Sequence, residues 1–189
     1  MFIDKRTFPF VVTLEDNWQL IREECSRLLE QEYDPWVQGA MYESGWRIYA
    51  LAALDKRIPG HAEKCPQTTE IISSIAGVTL AGFSRMAPGT IIKPHVGWAK
   101  SVYRLHLGLI VPQECALRVG TQTRRWEEGQ CLIFDDTVEH EAWNKSNDVR
   151  INLLLDFLRP GVVNADMDSL PEEVLEYAQR LLETNSHNG

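Results

Sequence analysis

The spacing of apolar positions changes twice along the chain. Between residues 13 and 31, Trp18, Ile21, Cys25, Leu28 and Leu29 recur at the interval of one helix face, which predicts a helix over 13–31. Thr13 followed by Asp16 reads as a capping box at its start. WRIYALAA over 46–53 reads as a strand, and 66–75 as a short helix with Pro66 in its first turn. From 77 to 159 the pattern shortens. GVTLAGFSRM, TIIKPHVG, YRLHLGLIV, ALRVG, TRRWEE, QCLIFDD, HEAWNK and VRINLLLDFLR are rich in Val, Ile, Leu and aromatics, with Gly, Pro, Asn and Asp between them. About eight strands at this spacing fit a sandwich or jelly roll. Helices do not alternate with them, which argues against a doubly wound sheet. A last helix is expected over 169–184, with Ser169 and Glu172 as capping box and Leu170, Val174, Tyr177, Ala178, Leu181 and Leu182 as its apolar face. The final TNSHNG is expected to fray. The reading is therefore mainly β: one domain over 1–189, a β core at about 77–159, and N- and C-terminal helical flanks.

Composition narrows the partners. A chain of 189 residues with 44% hydrophobic and 24% charged residues can bury a substantial core. The net charge of −8 argues against nucleic acid and against an anionic membrane surface. MFIDKRTFPFVV does not read as a signal peptide, and no run reaches the ~18 apolar residues of a membrane span. The cytoplasm is the expected compartment. Cys25, Cys65, Cys115 and Cys131 form no CxxC pair and are expected to be reduced and buried.

The candidate chemistry sits in the strands. His95 lies near the end of the segment PGTIIKPHVG, His140 ends LIFDDTVEH, and Arg150 lies inside the apolar run VRINLLLDFL. Fe(II) oxygenases favour imidazole and carboxylate ligands with positions left open. Facing strands of a jelly roll can aim such side chains into one cavity. The usual acidic residue two positions after the first histidine is absent, because position 97 is glycine. A histidine pair alone also suits structural or surface roles. Arg104 and His106 share a strand face, as do Arg150 and Asn152. A charge in an apolar strand needs a partner. That partner is either a bound carboxylate or an internal Asp or Glu. Trp126, Glu127 and Glu128 read as a strand end and turn, Trp46 and Arg47 as core and surface or as lining of a substrate entrance, Trp143 as core or pocket wall, and His61 and His187 as exposed.

FSRMAPGTIIKPHVG, RLHLGLIVP, LRVGTQTRRWEEGQCLIFDDTVEHEAWN and RINLLLDFLRP together resemble the aspartyl/asparaginyl β-hydroxylase domain family. LEDNWQLIREE, GWRIYAL and CPQTTEII extend the likeness over most of the chain. The resemblance implies a double-stranded β-helix, cupin-like, and an Fe(II)- and 2-oxoglutarate-dependent dioxygenase that uses O2 and releases succinate and CO2. It implies His95 and His140 as iron ligands. Arg150 would hold the distal carboxylate of 2-oxoglutarate with help from Ser84, His106 would meet the other carboxylate, and Arg104 would stand at that wall or face substrate. Members share the glycine at position 97, with water in the vacant place, and Asp136 is an outer-shell candidate or a turn cap; Asp135 and Glu139 are weaker ones. The implied substrate is a small molecule or peptide with an amino-acid-like carbon. The anchors and repeats of the best-known members are not expected here, and Val102 sits two residues before Arg104, where some members carry a further arginine. A lipid-type hydroxylase, a non-catalytic carboxylate-binding jelly roll and a non-redox metal cupin remain alternatives.

Overall fold

A computed structural model describes residues 1–166 and 169–184. The elements run β1 (Phe2–Ile3), α1 (Phe10–Asp16), α2 (Trp18–Ser26), β2 (Asp34–Pro35), β3 (Trp46–Ala53), β4 (Lys56–Arg57), α3 (Pro59–Lys64) and α4 (Pro66–Ser73). The β core follows as β5 (Val78–Met86), β6 (Ile91–His95), β7 (Val102–Ile110), β8 (Cys115–Val119), β9 (Gln122–Arg124), β10 (Cys131–Phe134), β11 (His140–Asn144) and β12 (Arg150–Leu158). The last element is α5 (Glu172–Thr184). No helix among the described residues is long and apolar enough to cross a membrane.

Two antiparallel sheets face one another. The larger has the order β1-β10-β7-β12-β5-β3-β2, with β4 on β3, and the smaller β6-β11-β8-β9. This is the expected jelly roll. Because side chains alternate along a strand, the large sheet is buried on both faces. One face carries Leu105, Leu107, Leu153, Leu155, Phe83 and Tyr49 against α1, α2 and α4. The other carries Trp46, Ile48 and Met86 toward the small sheet and toward α5, where Val174, Tyr177 and Ala178 pack. Asn144, fully buried, ties the sheets together by donating to the Met86 and Ala87 carbonyls at 3.1 Å each.

The helical flanks differ from expectation. The predicted helix over 13–31 is two helices, and the first begins at Phe10 rather than at a Thr13 cap. Asn17 breaks it: its amide donates to the Thr13 carbonyl at 2.8 Å, competing with the backbone ladder. After Ser26 the chain leaves the helix, and the Glu32 carboxylate accepts from the Leu29 N–H at 2.7 Å. Glu24 on α2 is buried and caps α4 from outside, accepting from Gln67 N, Thr68 N and Thr68 Oγ1 at 3.1, 2.8 and 2.6 Å. At the other flank α5 begins at Glu172, so Ser169 is not its cap; the Ser169 hydroxyl donates to the Asp166 carbonyl at 2.7 Å. His61 is not free in solvent: it stacks on Tyr49 at 4.3 Å, and its Nδ1 meets the Ala50 carbonyl at 2.8 Å. His187 and the end of the expected frayed tail lie outside the described residues. All four cysteines are free and buried.

Candidate active site

His95 and His140 are cross-strand partners at the join of β6 and β11, just before a register shift, and their rings lie 4.1 Å apart. Each Nδ1 faces a backbone carbonyl two residues back: Lys93 at 2.7 Å for His95, Val138 at 3.0 Å for His140. A carbonyl can only accept, so each Nδ1 carries the proton and each Nε2 presents a lone pair. Burial lowers the pKa of both rings, and that of His140, further opposed by His95, falls to about 3. Two adjacent imidazoles that are neutral at pH 7 are suited to a divalent metal. Among the described residues, no group of three or more His, Cys, Asp or Glu gathers in one place.

Gly97 has a local physical reason. Its N–H donates to the Asp136 carbonyl at 2.7 Å, and a Cβ at 97 would lie 2.2 Å from Asp136 Oδ2. The Asp136 carboxylate fills the space from which a side chain at 97 would start. It is 2% exposed, its Oδ1 has no hydrogen-bond partner, and burial raises its pKa to about 6 against the pull of Arg104. Asp135 and Glu139 are engaged elsewhere, with Arg159 and Arg118.

Behind the histidines lies a small cavity lined by His95, His140, Arg104, His106, Arg150 and Ser84. The fold thus gathers six of the seven expected residues around one space, with Asp136 behind Gly97. The two arginines differ sharply. Arg104 makes a two-pronged pair with Asp156, both bonds 2.7 Å, and lies 3.5 Å from Asp136. Burial alone would lower its pKa, but these two carboxylates outweigh that and raise it. Of the two partners open to it on sequence, Arg104 has taken the internal one.

Arg150 has no such partner. It is 1% exposed, its Nη1 donates to the Ser84 carbonyl at 3.2 Å, and its guanidinium stands 4.7 Å from the Trp126 ring. With the Asn152 amide oxygen turned inward, that oxygen accepts from Arg150 Nη1 and Trp126 Nε1 at 3.1 Å each. Among the described residues no carboxylate pairs with it, Nε lacks any partner, and burial lowers its pKa to about 10. His106 is similar: Nδ1 accepts from Trp126 Nε1 at 3.3 Å, which leaves Nε2 as a buried donor without an acceptor. Trp46 Nε1 donates to Ser84 Oγ at 3.1 Å, freeing that hydroxyl to donate in turn. A buried cation and a buried imidazole N–H, both unanswered around one cavity, suit a ligand with carboxylates at two ends.

Trp46, read from sequence as core or substrate entrance, and Trp126, read as a strand end and turn, both border this site, and Asp156, given no role from sequence, is the partner of Arg104. Trp126 lies beyond β9, which ends at Arg124 rather than running to Glu128. Trp143 is half-buried beneath Lys145. A larger, more open groove near β1 has two of its cations already paired, Lys5 with Glu15 and Arg6 with Asp4.

Residues 15–160 match the family model described as aspartyl/asparaginyl beta-hydroxylase. The chain belongs to this family. It is 35% identical over 168 residues to an ornithine lipid ester-linked acyl 2-hydroxylase of Rhizobium tropici, covering 83% of this chain and 60% of that protein. It is 31% identical over 170 residues to the aspartyl/asparaginyl beta-hydroxylase of Mus musculus, covering 85% of this chain and 23% of that one. The chain thus spans less than two thirds of the length of these relatives. Among solved structures, a Pseudomonas putida prolyl-4-hydroxylase shares the fold, with a TM-score of 0.53 at 20% identity, over 80% of this chain and 100% of that one.

Proposed function

We propose that this chain is an Fe(II)- and 2-oxoglutarate-dependent dioxygenase that hydroxylates an unactivated carbon. The observation that carries the reading is Arg150, a buried guanidinium without a carboxylate, opening on the same cavity as two neutral imidazoles with free Nε2 atoms. His95 and His140 would hold the iron through Nε2, and water would complete the position that Gly97 leaves without a carboxylate. When bound, iron with 2-oxoglutarate and O2 supplies the oxidation that replaces a C–H bond by C–OH, with succinate and CO2 as coproducts.

The remaining work falls to this chain's own side chains. Arg150 and Ser84 grip the distal carboxylate, since guanidinium and carboxylate match in geometry as well as charge. The His106 Nε2 proton meets the other carboxylate. The Lys93 and Val138 carbonyls fix the ligand tautomers and ring directions. Leu154, Phe134 and Ile92 line the cavity and keep water from the reacting carbon.

The substrate is a small molecule or peptide, and two classes have support. An amino-acid-like carbon follows from the family, while an acyl carbon follows from the bacterial relative. A succinate assay with O2, Fe(II), 2-oxoglutarate and both substrate classes tests the reading. Coupled succinate that disappears in His140→Ala is expected. No succinate with either class, together with no anaerobic binding of 2-oxoglutarate, would leave a non-catalytic carboxylate-binding module.

A further inference from the structure

The two sheets of the jelly roll do not close on one side. β1 ends the large sheet and β9 ends the small one, and among the described residues neither pairs along its outer edge. The open groove near β1 lies between them. Leu132 and Ile133 of β10 form its floor, the segment from Phe2 to Arg6 forms one bank, and Arg124, Arg125 and Glu127 form the other. Arg124 is the last residue of β9 and pairs with Leu117, a buried, inward-facing position of the small sheet. Its side chain therefore crosses the gap, and its guanidinium stands 4.4 Å from the Phe2 ring. Arg125 lines the same groove. Trp126, next in the chain and 2% exposed, is anchored against His106 and Arg150, so the two arginines rise from a segment held in place.

Their lack of partners sets these arginines apart. In a chain of net charge −8, Arg22, Arg85, Arg118 and Arg159 each hold a carboxylate. On the opposite bank Lys5 is bonded to Glu15 and Gln130 at 2.6 Å each, and Arg6 to Asp4 at 2.7 Å. Among the described residues, the side chains of Arg124 and Arg125 have neither hydrogen bond nor ion pair, and Glu127, the remaining carboxylate of the lining, pairs with neither. The contact with Phe2 engages the ring face and uses none of the Arg124 N–H groups. An inward-pointing charge on an edge strand guards that edge against pairing with another chain, and Arg124 alone would do so. Arg125 lies past the end of β9, where there is no edge to guard.

Two adjacent guanidinium forks ask for more than one carboxylate can give. A carboxylate brings one charge and two oxygens, enough for one fork. A phosphate monoester brings nearly two charges and three oxygens on one centre. The apolar surface of Phe2, Leu132 and Ile133 suits the organic group of such an ester and offers nothing to a bare ion. We propose that this groove binds a soluble phosphate monoester with an apolar organic group, held by Arg124 and Arg125. The site is separate from the cosubstrate cavity and depends on neither the histidines nor Arg150.

Calorimetric titration of the metal-free full chain with phenyl phosphate at pH 8 tests this. It is run on the wild type and on Arg150→Met, in which the histidine cavity has lost its free cation. One-to-one binding of equal strength is expected in both. Arg124→Gln and Arg125→Gln should each weaken it about tenfold, the loss that follows removal of one charge-assisted pair. Benzenesulfonate, the same ring with a single charge, should bind about fivefold more weakly or worse, and so should inorganic phosphate, which has no ring to bury. Both arginines are exposed, so an unchanged denaturation midpoint is expected in each glutamine variant and shows that it is folded. Absence of phenyl phosphate binding, equal affinity for benzenesulfonate, binding that survives both glutamine substitutions, or binding that disappears in Arg150→Met would overturn the proposal.

Discussion

Arg150→Met should make the ligand-free protein more stable while removing its hold on 2-oxoglutarate. A guanidinium that ordinarily titrates at 12.5 and here at about 10 carries a charge penalty of about 3 kcal/mol. The sign follows from linkage. The folded pKa lies below the unfolded one, so the penalty is complete at any pH below about 10 and constant between pH 5 and 9. Methionine keeps the aliphatic stem, is shorter than arginine, removes the charge and loses the contacts with Trp126 and the Ser84 carbonyl, together worth about 1–2 kcal/mol. The expected net gain is about 1–2 kcal/mol, or ~3–6 °C in Tm for a chain of this size. Denaturant unfolding of metal-free wild type and variant at pH 6 and pH 8 measures it, with a 2-oxoglutarate titration alongside. A loss of about 3–5 kcal/mol, as when a satisfied buried pair is broken, would show that Arg150 has an internal partner and would refute the reasoning.

Arg104→Met should behave in the opposite way, costing about 3–5 kcal/mol in the same unfolding assay, because it strands the Asp156 carboxylate in the interior. Gly97→Ala should cost about 1–3 kcal/mol through the 2.2 Å approach to Asp136 Oδ2, and Asp136→Ala should recover most of that in a double-mutant cycle. Without metal, His140, whose pKa drops from 6.5 to about 3, contributes stability that is complete above pH 6.5 and lost as pH falls toward 3, about 2 kcal/mol by pH 5. Asp136, raised to about 6, acts in the reverse sense, so the test is the difference between wild type and His140→Gln across pH 4–8, which should narrow as the pH falls. Glu24→Ala should lower stability by about 2–3 kcal/mol by uncapping α4, seen as a lower denaturation midpoint with cosubstrate binding unchanged.

The strands of the β core were legible because each run is short and rich in Val, Ile, Leu and aromatics between turn residues, and in some of them a two-residue alternation separates the faces. In YRLHLGL the polar face, Arg104 and His106, now lines the cavity, and the apolar face, Leu105 and Leu107, meets the helices. The histidine pair and Arg150 were legible through resemblance, since no local rule ties His95 to His140 across the intervening strands. What stayed hidden depends on register. Asp156 answers Arg104 only because β12 and β7 pair those two residues directly, which neither segment's pattern states. Trp126 reaches His106 only because the chain leaves β9 early. Gly97 looked like a lost ligand until Asp136 was seen to occupy its side-chain space. The N-terminal helix was misjudged for a local reason: Asn17 can bond its own backbone as well as continue the helix.

The central claim is that His95, His140 and Arg150 together hold Fe(II) and 2-oxoglutarate. Anaerobic titration of the protein with Fe(II) and 2-oxoglutarate tests it most directly. A weak visible charge-transfer band should appear only when both are present. It should be lost in His140→Ala, and in Arg150→Met it should require far more 2-oxoglutarate. No band with the wild-type protein, or the same band in His140→Ala, would contradict the account.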